Sequence, residues 1–351
     1  GNTLYYLPNR SSNNQLLLTS ALEFALKKNC KLLITVDCGI TAAKEISDFL
    51  DKSIDVIITD HHEPTHKIPH CVATLNPKLI NSNYPNRDLT GVGVAFKLAH
   101  AITNTLVECG RISASEIDLK RFLDLVALGT VADMGTLTHE NRILVRYGLR
   151  QFAKTERIGL LKLMEDSGVS ADKITTNDIA AKIAPRLNSL GRIADATVGV
   201  DLLLEQNATK AKILVTKIEE INYERQQIEK LSSEKIVEHL GANPEELSHK
   251  AIVLFSQEWH PGVIPIIAAR LSKKYNRPTV IIAIDSGIGK GSIRTLPNYP
   301  LLTVLNNLSH LLINYGGHDF AAGLTIKESK IKEFKKSFIK KADESLKTED
   351  I

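Results

Sequence analysis

Continuous apolar runs alternate with amphipathic stretches in the first part of the 351-residue chain. Short apolar runs bounded by turn residues are typical of strands, and apolar positions three or four apart are typical of helices. Uninterrupted apolar strands that alternate with helices indicate a parallel sheet with helices on both faces. The pattern predicts strands at residues 4–7, 31–36 and 55–59, and helices at residues 14–28, 42–51, 91–105 and 119–128.

A second α/β region is predicted after a long polar helix. A narrow apolar stripe runs along residues 208–240, and Gly241-Ala242-Asn243-Pro244 ends it. Strands are then predicted at residues 251–255 and 279–283, and helices at residues 262–274 and 330–346. We expect an α/β protein of two domains joined by a long helix. The expected boundaries are 1–204 for the first domain, 205–244 for the connecting helix and 245–346 for a smaller second domain.

Composition narrows the class of protein. Hydrophobic residues make up 43% and charged residues 24% of the chain, which is typical of a soluble globular protein. No apolar run is long enough to cross a bilayer, so we expect no membrane partner. The four cysteines form no Cys-x-x-Cys pair, so neither a zinc site nor a disulfide framework is implied, and a reduced, cytoplasmic setting is the default expectation.

The net charge of +4 is too small to require a nucleic-acid partner. Residues 251–320 carry six Lys and Arg against three acids. A phosphate-bearing ligand and an ordinary solvated surface both explain such a local excess.

Three acidic positions each follow an apolar segment: Asp37, Asp60 in the triplet Asp60-His61-His62, and Asp133. The carboxyl ends of parallel strands meet at one edge of a sheet, so Asp37 and Asp60 are expected to face one crevice. Carboxylates with an imidazole suit Mn²⁺ or Mg²⁺. An Asp that stands alone at a strand end is more often a turn residue or a helix cap, so the prediction of a metal site depends on the combination of these residues.

Two further sets of residues are candidate phosphate contacts. Arg186, Asn188 and Arg192 are expected to surround a turn, where the arginines match phosphate oxygens. Glycine-rich stretches at 287–294 and 316–323 would let backbone amides approach an anion, with Ser292, Arg294 and His318 as side-chain donors. A surface loop and hairpin turns explain the same residues. Trp259, before a helix, is expected to cap it or to offer an aromatic surface for a base.

Several motifs in order resemble those of the DHH phosphoesterase superfamily, in particular its single-strand-specific exonucleases. The resemblance runs from Leu4 to about residue 325 and depends on many segments together. The principal motifs are Val36-Asp37-Cys38-Gly39, Thr59-Asp60-His61-His62, Leu128-Gly129-Thr130-Val131-Ala132-Asp133 and Gly316-Gly317-His318. Supporting stretches include Tyr6-Leu7-Pro8-Asn9-Arg10, Pro185-Arg186-Leu187-Asn188, Trp259-His260-Pro261-Gly262 and Gly289-Lys290-Gly291-Ser292.

The resemblance implies a two-metal site for Mn²⁺ or Mg²⁺. It assigns Asp37, His61 and Asp133 as metal ligands, with Asp37 bridging two ions. Asp60 would orient the site, and His62 would contact the scissile phosphate.

The resemblance also implies contacts to the nucleic-acid backbone. A turn at Gly316-Gly317-His318 would hold a nucleotide phosphate across a cleft. Further phosphate contacts would come from Arg10, Arg186, Asn188, Ser292 and Arg294.

Three departures from the superfamily pattern affect the expected activity. The first motif, an Asp-x-Asp pair, would lie upstream of Gly1, so we expect weakened metal binding and impaired activity in this chain. Ser11-Ser12-Asn13-Asn14-Gln15 replaces a Gly-Tyr-Gly-like turn, and the oligonucleotide-binding β-barrel expected after the second domain is absent.

The leading hypothesis is a metal-dependent 5′→3′ exonuclease of single-stranded DNA that acts in repair and recombination. The implied partners are single-stranded DNA, a single-strand-binding protein and a helicase, and the implied state is a monomer. Two alternatives stay open: a nucleic-acid-binding scaffold without full activity, and a phosphoesterase of short oligonucleotides.

Overall fold

The computed structural model describes residues 2–8, 14–65, 67–318 and 320–347. Contacts between residues divide the chain into two units, Gly1–Ile221 and Asn222–Ile351. Within the described ranges, no helix is long and apolar enough to cross a membrane.

The first unit holds a small parallel sheet and many helices. Its three strands are β1 (Leu32–Val36), β2 (Asp55–Thr59) and β3 (Ala73–Leu75), in the order β1-β2-β3. Its helices are α1 (Asn14–Lys27), α2 (Ala43–Leu50), α3 (Gly91–Glu108), α4 (Leu123–Ala132), α5 (His139–Phe152), α6 (Ile158–Asp166), α7 (Thr176–Asp178), α8 (Ala184–Ile193) and α9 (Thr197–Leu204). A π-helical turn, Ile179–Ile183, links α7 to α8.

The parallel register confirms the predicted α/β order of the first unit. Val36 of β1 is opposite Thr59 of β2, and Thr59 is opposite Leu75 of β3. The three strands therefore end side by side, and the residues that follow them share one edge of the sheet. Ile46 and Phe49 of α2 are fully buried in the core cluster beneath this sheet.

The strand predicted at residues 4–7 is wrong, since residues 2–8 form no strand. Leu4 is 51% exposed, and Tyr5 donates a hydrogen bond of 2.5 Å to Asp201. The ring of Tyr6 lies 5.1 Å from that of Phe24. A short apolar run is compatible with several structures, and here aromatic contacts replace a strand ladder.

The long helix predicted at residues 208–240 is confirmed as α10 (Ala208–Ala242). Ala211, Val215 and Ile218 are fully buried in a core cluster of the first unit. Ile236 and Leu240 belong to a core cluster of the second unit. The apolar residues near the start of α10 are therefore buried in the core of the first unit, and those near its end are buried in the core of the second unit.

The second unit is a five-stranded mixed sheet between helices. Its strands are β4 (Ile252–Ser256), β5 (Thr279–Asp285), β6 (Ile288–Arg294), β7 (Leu312–His318) and β8 (Ala321–Lys327), in the order β4-β5-β6-β8-β7. Its helices are α11 (Ile264–Tyr275), α12 (Leu301–Asn307) and α13 (Glu328–Ser345). Alternate residues of β5 lie in two different core clusters, so the sheet is buried on both faces.

Candidate metal centre and phosphate contacts

The candidate metal centre lies past the ends of β1 and β2. Asp37 follows Val36 directly, and Asp60 follows Thr59 directly. Asp37 has a φ of 63°, in the left-handed region that non-glycine residues rarely adopt. Backbone strain of this kind is frequent at functional sites.

Asp60 organises the turn that carries the two histidines. Its side chain is 1% exposed. One carboxylate oxygen accepts hydrogen bonds from the backbone amides of His61 (2.7 Å) and His62 (3.1 Å), and the other accepts one from Ile40 (2.9 Å). Burial alone would raise the pKa of Asp60, but the His62 ring and the backbone amides of Ile40 and His62 outweigh it and hold the pKa below its ordinary value.

His62 is paired with Asp60 through its ring. The Nδ1 atom of His62 lies 2.7 Å from an oxygen of Asp60. This hydrogen bond raises the pKa of His62, in spite of partial burial, because it stabilises the protonated ring. The pairing leaves Nε2 as the ring nitrogen available to a substrate.

His61 is the point on which the carboxylates converge. Its Nε2 atom lies 3.1 Å from an oxygen of Asp37 and 3.5 Å from an oxygen of Asp133. The atom is buried yet makes no hydrogen bond of acceptable geometry with any described residue. Ligand atoms of Asp37, His61 and His62 all lie within 4.8 Å of one another.

Asp133 reaches the centre from the end of a buried helix. Helix α4 extends to Ala132, beyond the predicted end at residue 128, and Asp133 follows it. Burial and the nearby Asp37 carboxylate raise the pKa of Asp133, although His61, His62 and Lys78 oppose this shift. A carboxyl with a raised pKa is one whose charge is unfavourable until a cation lies close to it.

These residues fit a divalent cation. In the tautomer in which His61 Nε2 carries no proton, this nitrogen and the carboxylate oxygens of Asp37 and Asp133 all offer lone pairs, and a cation between them makes their approach favourable. Oxygen ligands with one nitrogen suit Mn²⁺ and Mg²⁺. The orphaned Nε2 of His61 is therefore explained by a metal ion at this position.

Two residues of the centre were missed by sequence reasoning. A Cβ atom on Gly91, the first residue of α3, would lie 2.2 Å from an oxygen of Asp37. Asn76 is 5% exposed, follows β3 and donates a hydrogen bond of 2.9 Å to the carbonyl of His62. Two features of the sequence could have identified them. Gly91 is the first residue of a predicted helix, and Asn76 directly follows a short apolar segment.

The turn predicted around Arg186, Asn188 and Arg192 is wrong, because these residues lie in helix α8. Pro185 is tolerated in the first turn of a helix, where its missing amide needs no partner. Arg186 is ion-paired with Glu219 and donates a hydrogen bond of 2.7 Å to the carbonyl of Lys182. Arg186 and Asn188 are two positions apart, so they leave the helix on different faces.

The glycine-rich stretch at 287–294 is not an anion-binding loop, because residues 288–294 form strand β6 between β5 and β8. Its backbone amides are committed to the two neighbouring strands. A Cβ on Gly291 would lie 2.7 Å from the side chain of Leu324, so this glycine serves close packing. Ser292 is 5% exposed, and its Oγ atom lies 3.1 Å from the guanidinium of Arg294.

The turn predicted at Gly316-Gly317-His318 is also wrong, because these residues end the edge strand β7. Gly316 is opposite Gly323 and His318 is opposite Ala321. All three residues are exposed. Trp259 is partly buried against a core cluster of the second unit, which favours packing over an open stacking surface.

Arg10 lies outside the described residues. The remaining candidates therefore fall into two groups. Asp37, Asp60, His61, His62 and Asp133 lie together in the first unit, as predicted. The candidates for phosphate binding lie on helix α8 of the first unit and on strands β6 and β7 of the second.

Comparisons with known proteins identify two domains and several relatives of the chain. Residues 1–130 match the DHH family, N-terminal domain, and residues 248–347 match the DHHA1 domain. The single-stranded-DNA-specific exonuclease RecJ of Bacillus subtilis is 36% identical over 351 residues, which cover 99% of this chain and 42% of that protein. The chain thus spans less than half the length of this relative.

Solved RecJ structures share the fold. RecJ of Thermus thermophilus in complex with Mn²⁺ superposes with a TM-score of 0.80 at 33% identity, over 93% of this chain and 46% of that one. An exonuclease RecJ bound to manganese gives a TM-score of 0.78 at 31% identity, over 99% of this chain and 85% of that one. The chain therefore belongs to the RecJ family of DHH-domain proteins.

Proposed function

We propose that this chain is the core of a metal-dependent exonuclease that hydrolyses phosphodiester bonds of single-stranded DNA from the 5′ end. The proposal depends mainly on the geometry around His61. Its buried Nε2 atom makes no hydrogen bond with a described residue and lies close to carboxylate oxygens of Asp37 and Asp133. RecJ relatives that are named single-stranded-DNA-specific exonucleases, and RecJ structures that hold Mn²⁺, support it.

Asp37, His61 and Asp133 are the proposed ligands of Mn²⁺ or Mg²⁺. When bound, two such ions would lower the pKa of an attacking water and stabilise charge on the phosphate. Asp60 keeps the His61–His62 turn in place through its backbone hydrogen bonds. Residues that orient metal ligands in this way typically affect metal affinity strongly.

His62 is the proposed contact to the scissile phosphate. Its hydrogen bond to Asp60 favours the protonated ring, which can donate a proton or a hydrogen bond from Nε2. A positive ring beside an anionic phosphate favours the charge that develops during hydrolysis.

Further backbone contacts are proposed for Arg10, Arg186, Asn188, Ser292, Arg294 and the segment Gly316-Gly317-His318. The exposed end of β7, with two glycines, leaves room for a phosphate to approach the backbone. Arg186 would have to exchange its pairing with Glu219 for a phosphate oxygen. Contacts to phosphates and stacked bases are tolerant of sequence, as an exonuclease requires.

The wider biological role is part of the proposal. It comprises repair and recombination, with a single-strand-binding protein and a helicase as partners and a monomeric enzyme. The domain boundaries at residues 204 and 245 also stay a prediction.

The test is digestion of a single-stranded oligonucleotide that is labelled at one end. We expect Mn²⁺-dependent release of nucleotides from the 5′ end, at the reduced rate expected from the sequence, no attack on a duplex, and a further loss of at least about 100-fold in the Asp133→Asn variant. Strand binding without digestion would instead indicate a scaffold. Turnover of dinucleotides but not of long strands would indicate a phosphoesterase of short oligonucleotides.

A further inference from the structure

Lys78 lies in the turn that follows β3, at the same sheet edge as Asp37 and Asp60. None of the site predictions includes it. Its side chain is 23% exposed, so it is held against the protein and still reaches solvent.

The backbone of Lys78 is fixed to the histidine turn by hydrogen bonds. The side-chain oxygen of Asn76 accepts one from the Lys78 amide (2.8 Å), and the amide group of Asn76 donates one to the His62 carbonyl (2.9 Å). Arg87 donates another to the carbonyl of Lys78 (3.0 Å). The buried side chain of Asn76 therefore links the backbone of Lys78 to the backbone of His62.

The ammonium group of Lys78 has one ion-pair partner among the described residues. Its Nζ atom lies 3.2 Å from an oxygen of Glu63, which directly follows His62 and is 62% exposed. Glu63 adjoins His62, and Lys78 follows β3 at the sheet edge that also carries Asp37 and Asp60. The cation therefore lies next to the histidine turn of the metal centre.

The charge of the centre explains the need for such a cation. Asp37, Asp60 and Asp133 place three carboxylates where an anionic strand must bind. A lysine is a flexible point charge that can exchange one anionic partner for another. Glu63 is exposed, so a phosphate can displace it at little cost, since exposed ion pairs contribute little to stability.

We propose that Lys78 binds a backbone phosphate of the nucleic-acid strand held at the Asp37–His61–Asp133 centre. When no nucleic acid is bound, Glu63 forms an ion pair with the Lys78 ammonium group in its place. This inference rests on the proposed function of the same centre. It makes Glu63 a competitor of the substrate, so removal of the two partners must have opposite effects.

The experiment is a double-mutant cycle of Lys78→Gln and Glu63→Gln. Affinity for a single-stranded oligonucleotide is measured by fluorescence anisotropy in EDTA over a range of KCl concentrations. Lys78→Gln is expected to weaken binding about tenfold, the scale of one charge-assisted hydrogen bond. It should also lower the slope of log affinity against log salt by about 0.7, the value for one phosphate contact to a single strand.

Glu63→Gln is expected to tighten binding severalfold, because the competing carboxylate is gone. The double variant should bind as weakly as Lys78→Gln alone. With Mn²⁺, Lys78→Gln should raise KM and leave kcat nearly unchanged, which separates a strand contact from a structural ion pair. Lys52→Gln is the matched control, since Lys52 is exposed and precedes β2 at the opposite edge of the sheet.

Equal weakening by both single variants, or unchanged binding by Lys78→Gln in a chain that digests strands, would overturn the role of Lys78 alone. A wild-type chain that neither binds nor digests strands would overturn the proposed function as well. Melting temperatures of the four proteins should agree closely, because the Lys78–Glu63 pair is exposed on one side.

Discussion

Residue types that are typical of turns occupy different positions in the two units. In the first unit, Asp37 and Asp60 lie just past the ends of two paired parallel strands, and their side chains turn toward one point. In the second unit, Gly291 lies within a strand that has neighbours on both sides, and Gly316 lies on an edge strand. Residue types that are typical of turns therefore lie past strand ends in the first unit and within paired strands in the second.

This difference between the units comes from which backbone amides and carbonyls are already paired with neighbouring strands. A residue inside an antiparallel ladder has its amide and carbonyl occupied, so only its side chain or its lack of one can act. Past the strand ends, Asp37 and Asp60 still donate their backbone amides to Thr59 (2.9 Å) and Leu75 (3.0 Å) of the neighbouring strands, and it is their side chains that turn into the site. The Asp60 side chain accepts hydrogen bonds from Ile40, His61 and His62.

Asp60→Ala should destabilise the first unit more than any other substitution proposed below. The substitution leaves the buried amides of Ile40 and His61 without their acceptor, so we expect a loss of about 3 kcal/mol in the free energy of unfolding. Urea denaturation of the metal-free chain measures it. Asp55→Ala is the control, because Asp55 is exposed and should change stability by less than about 0.5 kcal/mol. Equal stability of the two variants would refute the organising role of Asp60.

Gly291→Ala should test the packing function of the second region. The added Cβ would lie 2.7 Å from Leu324 and 3.2 Å from Ile282, so we expect a destabilisation of about 1–3 kcal/mol without any change in metal affinity. Gly316→Ala is the control, since no heavy atom lies within 4 Å of its added Cβ. A destabilisation by Gly316→Ala as large as that by Gly291→Ala would remove the distinction between the core strand and the edge strand.

Gly91→Ala should act on the metal centre and leave the fold intact. The new methyl group would push the Asp37 carboxylate away from His61, so Mn²⁺ affinity should fall about tenfold, within the range for residues that orient metal ligands. Calorimetric titration with Mn²⁺ measures the effect. Gly241→Ala provides the comparison, because its Cβ would meet nothing within 4 Å. Unchanged affinity in Gly91→Ala would show that Asp37 can move without consequence.

The His62–Asp60 pair predicts a small pH effect. His62 has a raised pKa, so its contribution to stability is complete below the unfolded value of about 6.5 and is lost as pH rises through the folded value. Asp60 has a lowered pKa, so its contribution is lost only as pH falls through that low value. In EDTA, the stability difference between wild type and His62→Gln should shrink from pH 5.5 to pH 8.5. A difference that grows over this range would contradict the pairing.

The sequence predicted that Asp37 and Asp60 lie at one edge of the sheet, because strand ends are local features. Apolar runs locate β1 and β2, and the parallel arrangement then brings Asp37 and Asp60 together without further information. Asn76 and Gly91 were missed because their roles depend on contacts with residues far away in sequence, His62 and Asp37. No periodicity reports such a contact.

The second unit was predicted less well for the same physical reason. Glycines weaken the apolar alternation of a strand, so β6 and the end of β7 resembled turns. Their strand structure comes from pairing with β8, which sequence spacing does not reveal. Helix α8 was obscured by Pro185, which looks like a turn residue but occupies the first turn of the helix.

Binding of Mn²⁺ tests the central claim most directly, because it needs neither substrate nor partner. The measurement is calorimetric titration of the wild-type chain, of Asp133→Asn, and of Asp343→Asn as a control in the second unit. If Asp37, His61 and Asp133 hold the metal, the wild type and the control bind alike and Asp133→Asn binds at least about 100-fold more weakly. Equal affinity of Asp133→Asn and the wild type, or no binding by the wild type, would contradict the account.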